Sequence, residues 1–293
     1  MILGLDWGSS SVRAMRIGDT GEVLEVRRSD DGVFARAGDF EARARAHLGD
    51  WLGRFPSAPI LMCGMIGSDR GWVHAPYVRA PAGLTELAGS LCRVPLSCPA
   101  YIVPGISYVC GDDAEVMRGE ETLVAGLLEE RTVERAVVCL PGTHSKWVDV
   151  AGGRITGFRT YMTGELRALV LSQGALATTA VQQRSTEAFA SGLEAGRNDA
   201  GLSRSLFQGR ARRLLGGLAE NHVASFVGGV LIGAELAQER PGNEPLFVVA
   251  RGSIAEDYHA ALAGGPHELL DPEVLTARGL ARLARLAGFL ATG

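Results

Sequence analysis

Two short stretches of this sequence combine the residue types that hold a phosphate. In GLDWGSSS (residues 4–11), Asp6 ends an apolar run, Gly8 follows, and Ser9, Ser10 and Ser11 supply three consecutive hydroxyls. Glycine lets backbone approach an anion, turn N–H groups point inward, and hydroxyls donate further hydrogen bonds. A carboxylate at such a strand end can hold hydrated Mg²⁺, a hard cation that takes oxygen ligands and keeps several waters. The same residues also suit a plain hairpin turn with no ligand. The second stretch is LPGTHSKW (residues 140–147), with Gly142, Thr143, His144 and Lys146. Lys146 is the single lysine of the chain; the other 28 of its 29 Lys and Arg residues are arginines. An ammonium is a compact point charge and a guanidinium a wide planar fork, so a tight phosphate site distinguishes them. The competing reading has Lys146 beginning an exposed strand and His144 solvated or capping. Two such turns could grip one polyphosphate from both sides.

The elements that must position these turns repeat. MILGLDW is an apolar strand, VRAMRI alternates at period two as a half-buried strand does, and a Gly-bearing turn leads into a third strand. RAVVCL, KWVDV and GGRITGFRT follow the same order, so the strand–turn pattern near residues 1–28 recurs near 136–160. The spacing of Phe40, Ala44, His47, Leu48, Trp51 and Leu52 predicts one amphipathic helix over 40–54. APILMC predicts a buried strand entering a Gly-rich turn, GLTELAGSLC a helix, and CPAYIV a strand. GEETLVAGLLEE predicts a helix with acids in its first turn, where they complement the helix dipole. After Thr163 the pattern is mainly helical, near 165–172, 203–215, 219–237, 254–263 and 275–290, with one strand at 245–250. Residues 184–201 read as a polar, small-residue loop. The boundary between two α/β halves falls at PGISYVCGDD, giving domains 1–107 and 108–293.

Composition excludes several classes. Apolar residues make up 46% and charged residues 21%, so a sizeable core is available and wholesale disorder is ruled out. Net charge is −4 with no basic stripe, which argues against a nucleic-acid partner. The five cysteines form no CxxC pair, so free thiols in a reducing cytoplasm are expected rather than a disulfide or zinc scaffold. No basic segment precedes an apolar run at the N-terminus, and no apolar run reaches about 18 residues, so neither a signal peptide nor a membrane span is expected.

The chain resembles the 2-dehydro-3-deoxygalactonokinase family of sugar-acid kinases. The resemblance rests on LDWGSSSVRA (5–14), CGMIGSDRGWVHAPYV (63–78), VPGI (103–106), VMRGEET (116–122), LPGTHSKWV (140–148), FRTYMTGEL (158–166) and GGVLIGAEL (228–236). These segments run in the family's order over nearly the whole chain. The resemblance implies two related actin/hexokinase-like (ribonuclease H-like) α/β domains flanking a cleft for ATP and substrate. It also implies ATP- and Mg²⁺-dependent phosphorylation of 2-dehydro-3-deoxy-D-galactonate at the 6-hydroxyl, in galactonate breakdown. The gluconate-derived epimer and a non-catalytic sensor on the same fold are the alternatives. A homodimer is compatible with it.

Residue roles follow from the same likeness. Superfamily members place a carboxylate that receives the hydroxyl proton at a helix start between the two phosphate turns, which points to Glu120, then Glu121, with Asp112 and Asp113 behind them. The glutamates could equally be helix caps. Gly64, Met65, Gly67, Ser68, Trp72 and Tyr77 are candidates for contact with the sugar acid, Trp72 being equally suited to core filling. Arg13, Arg70 and Arg118 are candidates for its carboxylate. Thr163 and Gly164 would lie near the phosphates, and Glu165 would bind sugar hydroxyls or begin the next helix. Gly228, Gly229 and Gly252 would let backbone pass close to the purine and ribose, or would serve tight packing. Arg251 stands where the family more often has a small residue.

Overall fold

The computed structural model describes residues 1–36, 38–198, 201–239 and 242–291. By its contacts the chain forms two units. The first comprises Met1–Arg135, Val148–Phe158 and Asp271–Gly293, and the second Ala136–Trp147 and Arg159–Leu270.

The first unit opens with an antiparallel meander, β1 (Ile2–Trp7), β2 (Val12–Ile17) and β3 (Val23–Ser29). The helix expected over 40–54 is two, α1 (Phe40–Leu48) and α2 (Trp51–Arg54). Gly49 turns to φ 55° and its N–H returns to the Arg45 carbonyl, which ends the first helix. Then come β4 (Ile60–Cys63), β5 (Val78–Arg79), β6 (Ala82–Gly83), α3 (Leu84–Gly89), β7 (Cys92–Arg93) and β8 (Ala100–Ile102). The main sheet runs β3-β2-β1-β4-β8-β7, with β1, β4 and β8 parallel. Parallel strands are covered on both faces, which is why β1 and β4 are almost continuously buried and apolar. The stretch expected to divide the halves is instead a hairpin, β9 (Ile106–Cys110) and β10 (Asp113–Met117), turned at Gly111 and joined to β5. Helix α4 (Glu120–Glu130) follows.

The second stretch of sheet repeats the first. Strands β11 (Arg135–Leu140), β12 (Ser145–Ala151) and β13 (Arg154–Tyr161) neighbour one another in order, as β1, β2 and β3 do. Helices α5 (Thr163–Ser172), α6 (Thr186–Arg197), α7 (Leu202–Leu214) and α8 (Val223–Gln238) lead to β14 (Leu246–Val249), α9 (Gly252–Ala261) and β15 (Glu268–Leu270). β14 pairs parallel with β11, and β15 parallel with β14. The order β13-β12-β11-β14-β15 therefore matches β3-β2-β1-β4-β8, which is the duplication read from the sequence.

The polar stretch expected as a loop over 184–201 is largely α6. Its glycines explain both the misreading and the helix. A Cβ on Gly192 would lie 2.1 Å from the Phe226 carbonyl oxygen, and one on Gly229 would lie 2.2 Å from that of Phe189. Glycines weaken intrinsic helicity but let α6 and α8 touch backbone to backbone. The Ser185 hydroxyl accepts from the Ala188 N–H and caps the start.

Helix α10 (Pro272–Leu286) belongs to the first unit and packs on α4. Its membership, and that of residues 108–135, makes the units differ from the expected 107/108 division. Contact between α4 and α10 is again through backbone. A Cβ on Gly279 would stand 2.0 Å from the Thr122 carbonyl oxygen, and one on Gly126 would stand 2.0 Å from that of Leu275. Gly279→Ala should therefore cost about 1–3 kcal/mol, because a helix must move to admit a methyl. Gly53→Ala, in α2 with nothing within 4 Å of the new Cβ, should be neutral or stabilising by up to about 1 kcal/mol. Denaturant midpoints of the two variants check both; equal midpoints would mean that the helix contact is not tight.

Candidate active site

In the first unit, Asp6 lies near the end of β1 opposite Arg13 on β2. The Arg13 Nε donates to Asp6 Oδ2 at 3.1 Å, and Nη2 donates to the same oxygen. Gly64 directly follows β4 at φ 90°; a Cβ there would lie 2.8 Å from the Trp7 carbonyl and 3.6 Å from Asp6 Oδ1. Gly119, at φ 112°, leaves only 3.2 Å between its own would-be Cβ and the Gly64 Cα. The two glycines thus bring the N-terminus of α4 against the ends of β1 and β4.

Both glutamates of that N-terminus bend back on the preceding backbone. Glu120 Oε2 accepts from the Arg118 N–H at 2.9 Å. Both Glu121 oxygens accept from the Gly119 N–H, at 2.9 and 2.7 Å, and the Thr122 hydroxyl donates to Oε1 at 3.3 Å. Their burial separates them. Glu121 is fully buried, and burial together with the neighbouring Glu120 pushes its carboxyl up to about 8. Glu120 is partly exposed. A base at neutral pH must be reachable and deprotonated, so Glu121 is corrected to a buried cap of α4. Asp112 and Asp113 lie at the exposed tip of the β9–β10 hairpin, where Asp113 pairs with Cys110. A hairpin tip rather than a helix start removes the reason for naming them.

The turn after β1 is closed by the Gly8 N–H on the Ser11 carbonyl at 2.9 Å, and leaves Ser9, Ser10 and Ser11 exposed. Segment 32–34 supports it, with the Val33 N–H on the Gly8 carbonyl and the Phe34 N–H on that of Ser9. Asp31 anchors this segment. Its carboxylate accepts from Arg36, Arg43 and His47, and the two guanidinium groups hold it well below the usual carboxylate range. The Trp7 indole N–H donates to the Asp31 carbonyl at 2.9 Å.

The sugar-acid candidates divide. Met65 opens a short 3-10 turn, and the Ser68 hydroxyl donates to its carbonyl at 2.8 Å, so that hydroxyl holds its own loop. Trp72 is partly buried and packs on the core of the first unit. Arg70 lies 4.2 Å over the Phe34 ring, and the Arg13 guanidinium is engaged by Asp6. Arg118 is 9% exposed, sits 4.4 Å over the Tyr77 ring and donates from Nη2 to the Ala75 carbonyl at 2.7 Å. Its Nε and Nη1 have no hydrogen-bond partner among the described residues. Gly67 makes room for it, since a Cβ there would lie 3.0 Å from Nη1.

In the second unit the turn 141–144 is braced by α5. A Cβ on Gly164 would lie 2.3 Å from the Gly142 carbonyl, and the Glu165 N–H donates to the Thr143 carbonyl at 2.9 Å. His144 Nε2 and Glu165 Oε2 are 2.6 Å apart, so two residues given separate ligand roles bind each other. Lys146 is 5% exposed on β12, and its Nζ donates to the Thr160 hydroxyl at 2.8 Å. It begins no exposed strand. Thr163 donates to Glu235, which also accepts from Trp147 Nε1 at 2.7 Å and Tyr258 OH at 2.8 Å. Burial pushes the Glu235 carboxyl up, while these donors pull it down.

Gly142, Gly164, Gly228, Ser253, Asp257 and Tyr258 help line a cavity of about 170 Å³. A neighbouring cavity of about 410 Å³ shares Arg167, Ser253 and Asp257 and adds Gln182, Phe189 and Leu193. Gly229 is turned to α6 instead, so its place is explained by packing and not by a nucleotide. Gly252 begins α9 at φ 60°. Sequence reading missed Arg167, Asp257, Asp31 and Glu235. Only Glu235 carried a signal, as the one charged side chain in the apolar helix α8.

The sequence model of the 2-keto-3-deoxy-galactonokinase family matches residues 6–283. The 2-dehydro-3-deoxygalactonokinase of Escherichia coli is 38% identical over 265 residues, covering 88% of each chain. A Sinorhizobium meliloti crystal structure carrying the same kinase designation matches with a TM-score of 0.88 at 33% identity, over 97% of this chain and 98% of that one. Component A of Acidaminococcus fermentans (R)-2-hydroxyglutaryl-CoA dehydratase shares the fold alone, with a TM-score of 0.53 at 14% identity over 98% of each chain. The architecture is the actin/hexokinase-like α/β fold. Fold, ordered motifs and sequence identity agree, and the chain belongs to the 2-keto-3-deoxy-galactonokinase family.

Proposed function

We propose that this protein is an ATP-dependent kinase that phosphorylates 2-dehydro-3-deoxy-D-galactonate at its 6-hydroxyl, in galactonate breakdown. The observation that carries the reading is the meeting of Asp6, Gly64, Gly119 and Glu120 at the α4 N-terminus in a chain of this family. Phosphoryl transfer asks a protein for positioning and charge neutralisation more than for covalent chemistry. The substrate's 6-hydroxyl oxygen bonds to the γ-phosphorus, the bond from that phosphorus to the β–γ bridging oxygen breaks, and ADP leaves. The hydroxyl proton passes to Glu120, the reachable carboxylate of the pair.

Turn 8–11 of the first unit offers N–H and hydroxyl groups suited to phosphate, and turn 141–144 of the second unit offers the same. The 410 Å³ cavity suits adenosine, with Phe189 and Leu193 as apolar wall and Gln182 and Asp257 as polar partners. Among the described residues no cluster of three His, Cys, Asp or Glu could hold a metal. Mg²⁺ on a nucleotide needs only one or two carboxylates besides phosphate and water. Asp6 fits that role, because Arg13 engages Oδ2 and leaves Oδ1 towards Gly64. Mg²⁺ there would neutralise phosphate charge. Arg118 would take the substrate carboxylate through Nη1, whose donors have no partner among the described residues, with Tyr77, 40% exposed, moving aside. The five free cysteines suit a reducing compartment, and a cytoplasmic location is part of this proposal.

The test is ADP release from ATP and Mg²⁺ with 2-dehydro-3-deoxygalactonate. Turnover of only the gluconate-derived epimer would overturn the substrate, and nucleotide binding without transfer to any sugar acid would make the protein a sensor. Glu120→Gln should lower kcat by about 10²–10⁴-fold. Glu121→Gln should keep kcat within a few-fold at pH 6, where a carboxyl with its pKa pushed up to about 8 is protonated and Gln imitates it. The sign of its pH effect on stability follows. Between the ordinary carboxyl range and about pH 8 the native state holds a proton that the unfolded chain releases, so wild-type stability falls as pH rises. Thermal melts of Glu121→Gln against wild type should therefore favour the variant more at pH 8.5 than at pH 5.

Two further substitutions separate binding roles. Arg118→Lys should raise KM for the sugar acid at least tenfold and leave KM for ATP unchanged, since Lys cannot hold the Ala75 carbonyl and a carboxylate with one rigid planar group. Lys146→Arg places a wide fork where a compact ammonium meets Thr160. It should lower the melting temperature and raise KM for ATP; wild-type values for both would show that arginine serves there.

A further inference from the structure

We infer that Glu235 is a positioning residue for the second phosphate turn, clamping the three elements that carry it; this rests on the kinase reading above. Helix α8, VASFVGGVLIGAELAQ, contains no other charged side chain, and Glu235 is 2% exposed. A carboxylate is retained at such depth only when donors surround it. Here they do. Trp147 Nε1 and Tyr258 OH share Oε1 at 2.7 and 2.8 Å, Thr163 Oγ1 donates to Oε2, and Ser145 Oγ lies 2.9 Å from the Tyr258 hydroxyl.

None of these donors is on α8, and each holds a different side of the turn. Ser145 and Trp147 open β12 directly after it. Thr163 opens α5, whose Gly164 lies against Gly142 and whose Glu165 N–H holds the Thr143 carbonyl. Tyr258, on α9, lines the same 170 Å³ cavity as Gly142, Gly164 and Gly228. Side chains alternate along a strand, so fixing Ser145 and Trp147 towards α8 turns Lys146 to the opposite face. One carboxylate therefore sets the turn, the helix start behind it and the direction of the lone lysine. An apolar residue would strand an indole N–H and hydroxyls in a dry site, and Gln would offer one acceptor where Glu offers two.

The test measures dissociation constants for a non-hydrolysable ATP analogue and for the sugar acid, with melting temperatures, in the full chain. Glu235→Gln should weaken the nucleotide about tenfold and leave the sugar acid within twofold. Tyr258→Phe removes one donor and keeps the carboxylate, and should weaken the nucleotide about threefold should Glu235→Gln fail to fold. Val248→Ala, in the core of the second unit, serves as a control for loss of stability and should keep nucleotide affinity. Unchanged nucleotide affinity in both Glu235→Gln and Tyr258→Phe, or an equal loss in Val248→Ala, overturns the positioning role. Wild-type protein that binds sugar acid but no nucleotide overturns the kinase reading and this inference with it.

Discussion

A buried indole N–H must have an acceptor, and both candidate phosphate turns hang on that requirement. Trp7 and Trp147 are each fully buried. Trp7 donates to the Asp31 carbonyl and Trp147 to Glu235 Oε1. Each tryptophan directly follows the charged residue of its turn, Asp6 in one case and Lys146 in the other. Because strand side chains alternate, a tryptophan locked into the core points its neighbour to the other face. The apolar anchor and the charge are therefore one device: the core decides where Asp6 and Lys146 are aimed.

The second constraint is close backbone approach. Gly126 and Gly279 join α4 to α10, and Gly192 and Gly229 join α6 to α8. Contacts of this kind place a helix by its main chain, so its position tolerates little change in side-chain volume. The same approach recurs where chemistry is expected. Gly119 seats the start of α4 on Gly64, and Gly164 seats the start of α5 on Gly142. Each helix N-terminus is thereby presented beside a turn, where the positive end of its dipole favours an anion.

The duplicated meander and the two turns were legible because their signals are local: a period of two, a Gly-hydroxyl run, an acid at a strand end. Helix α6 was hidden because Gly192 and Gly196 have weak helix propensity and break the apolar periodicity, and tertiary contact with α8 supplies what the sequence lacks. The β9–β10 hairpin was hidden for a related reason, since its strands are short and half exposed. Site residues followed the same rule. Asp6, Gly142 and Glu120 sit within contiguous motifs. Asp31 supports the first turn, and Glu235 the second, from far along the chain, and only the fold brings them there. Gly229 shows the converse: its motif was visible, but which face of α8 it occupied was not.

Adjacent identical residues at the start of α4 illustrate how position makes chemistry. A carboxylate in a dry environment beside another carboxylate is expensive, because Coulomb repulsion is poorly screened there. The fold resolves this by depth. Glu121 goes fully inside, its carboxyl pushed up to about 8, and it keeps the Gly119 N–H as a cap. Glu120 stays partly exposed one residue earlier, on the backbone of Arg118. A neutral Glu121 is what allows a single negative charge to sit at the helix start, close to Arg118 and the dipole that favour it. Two glutamates thus become one reachable carboxylate and one buried cap, with the division made by a hundred-degree step around the helix rather than by residue type.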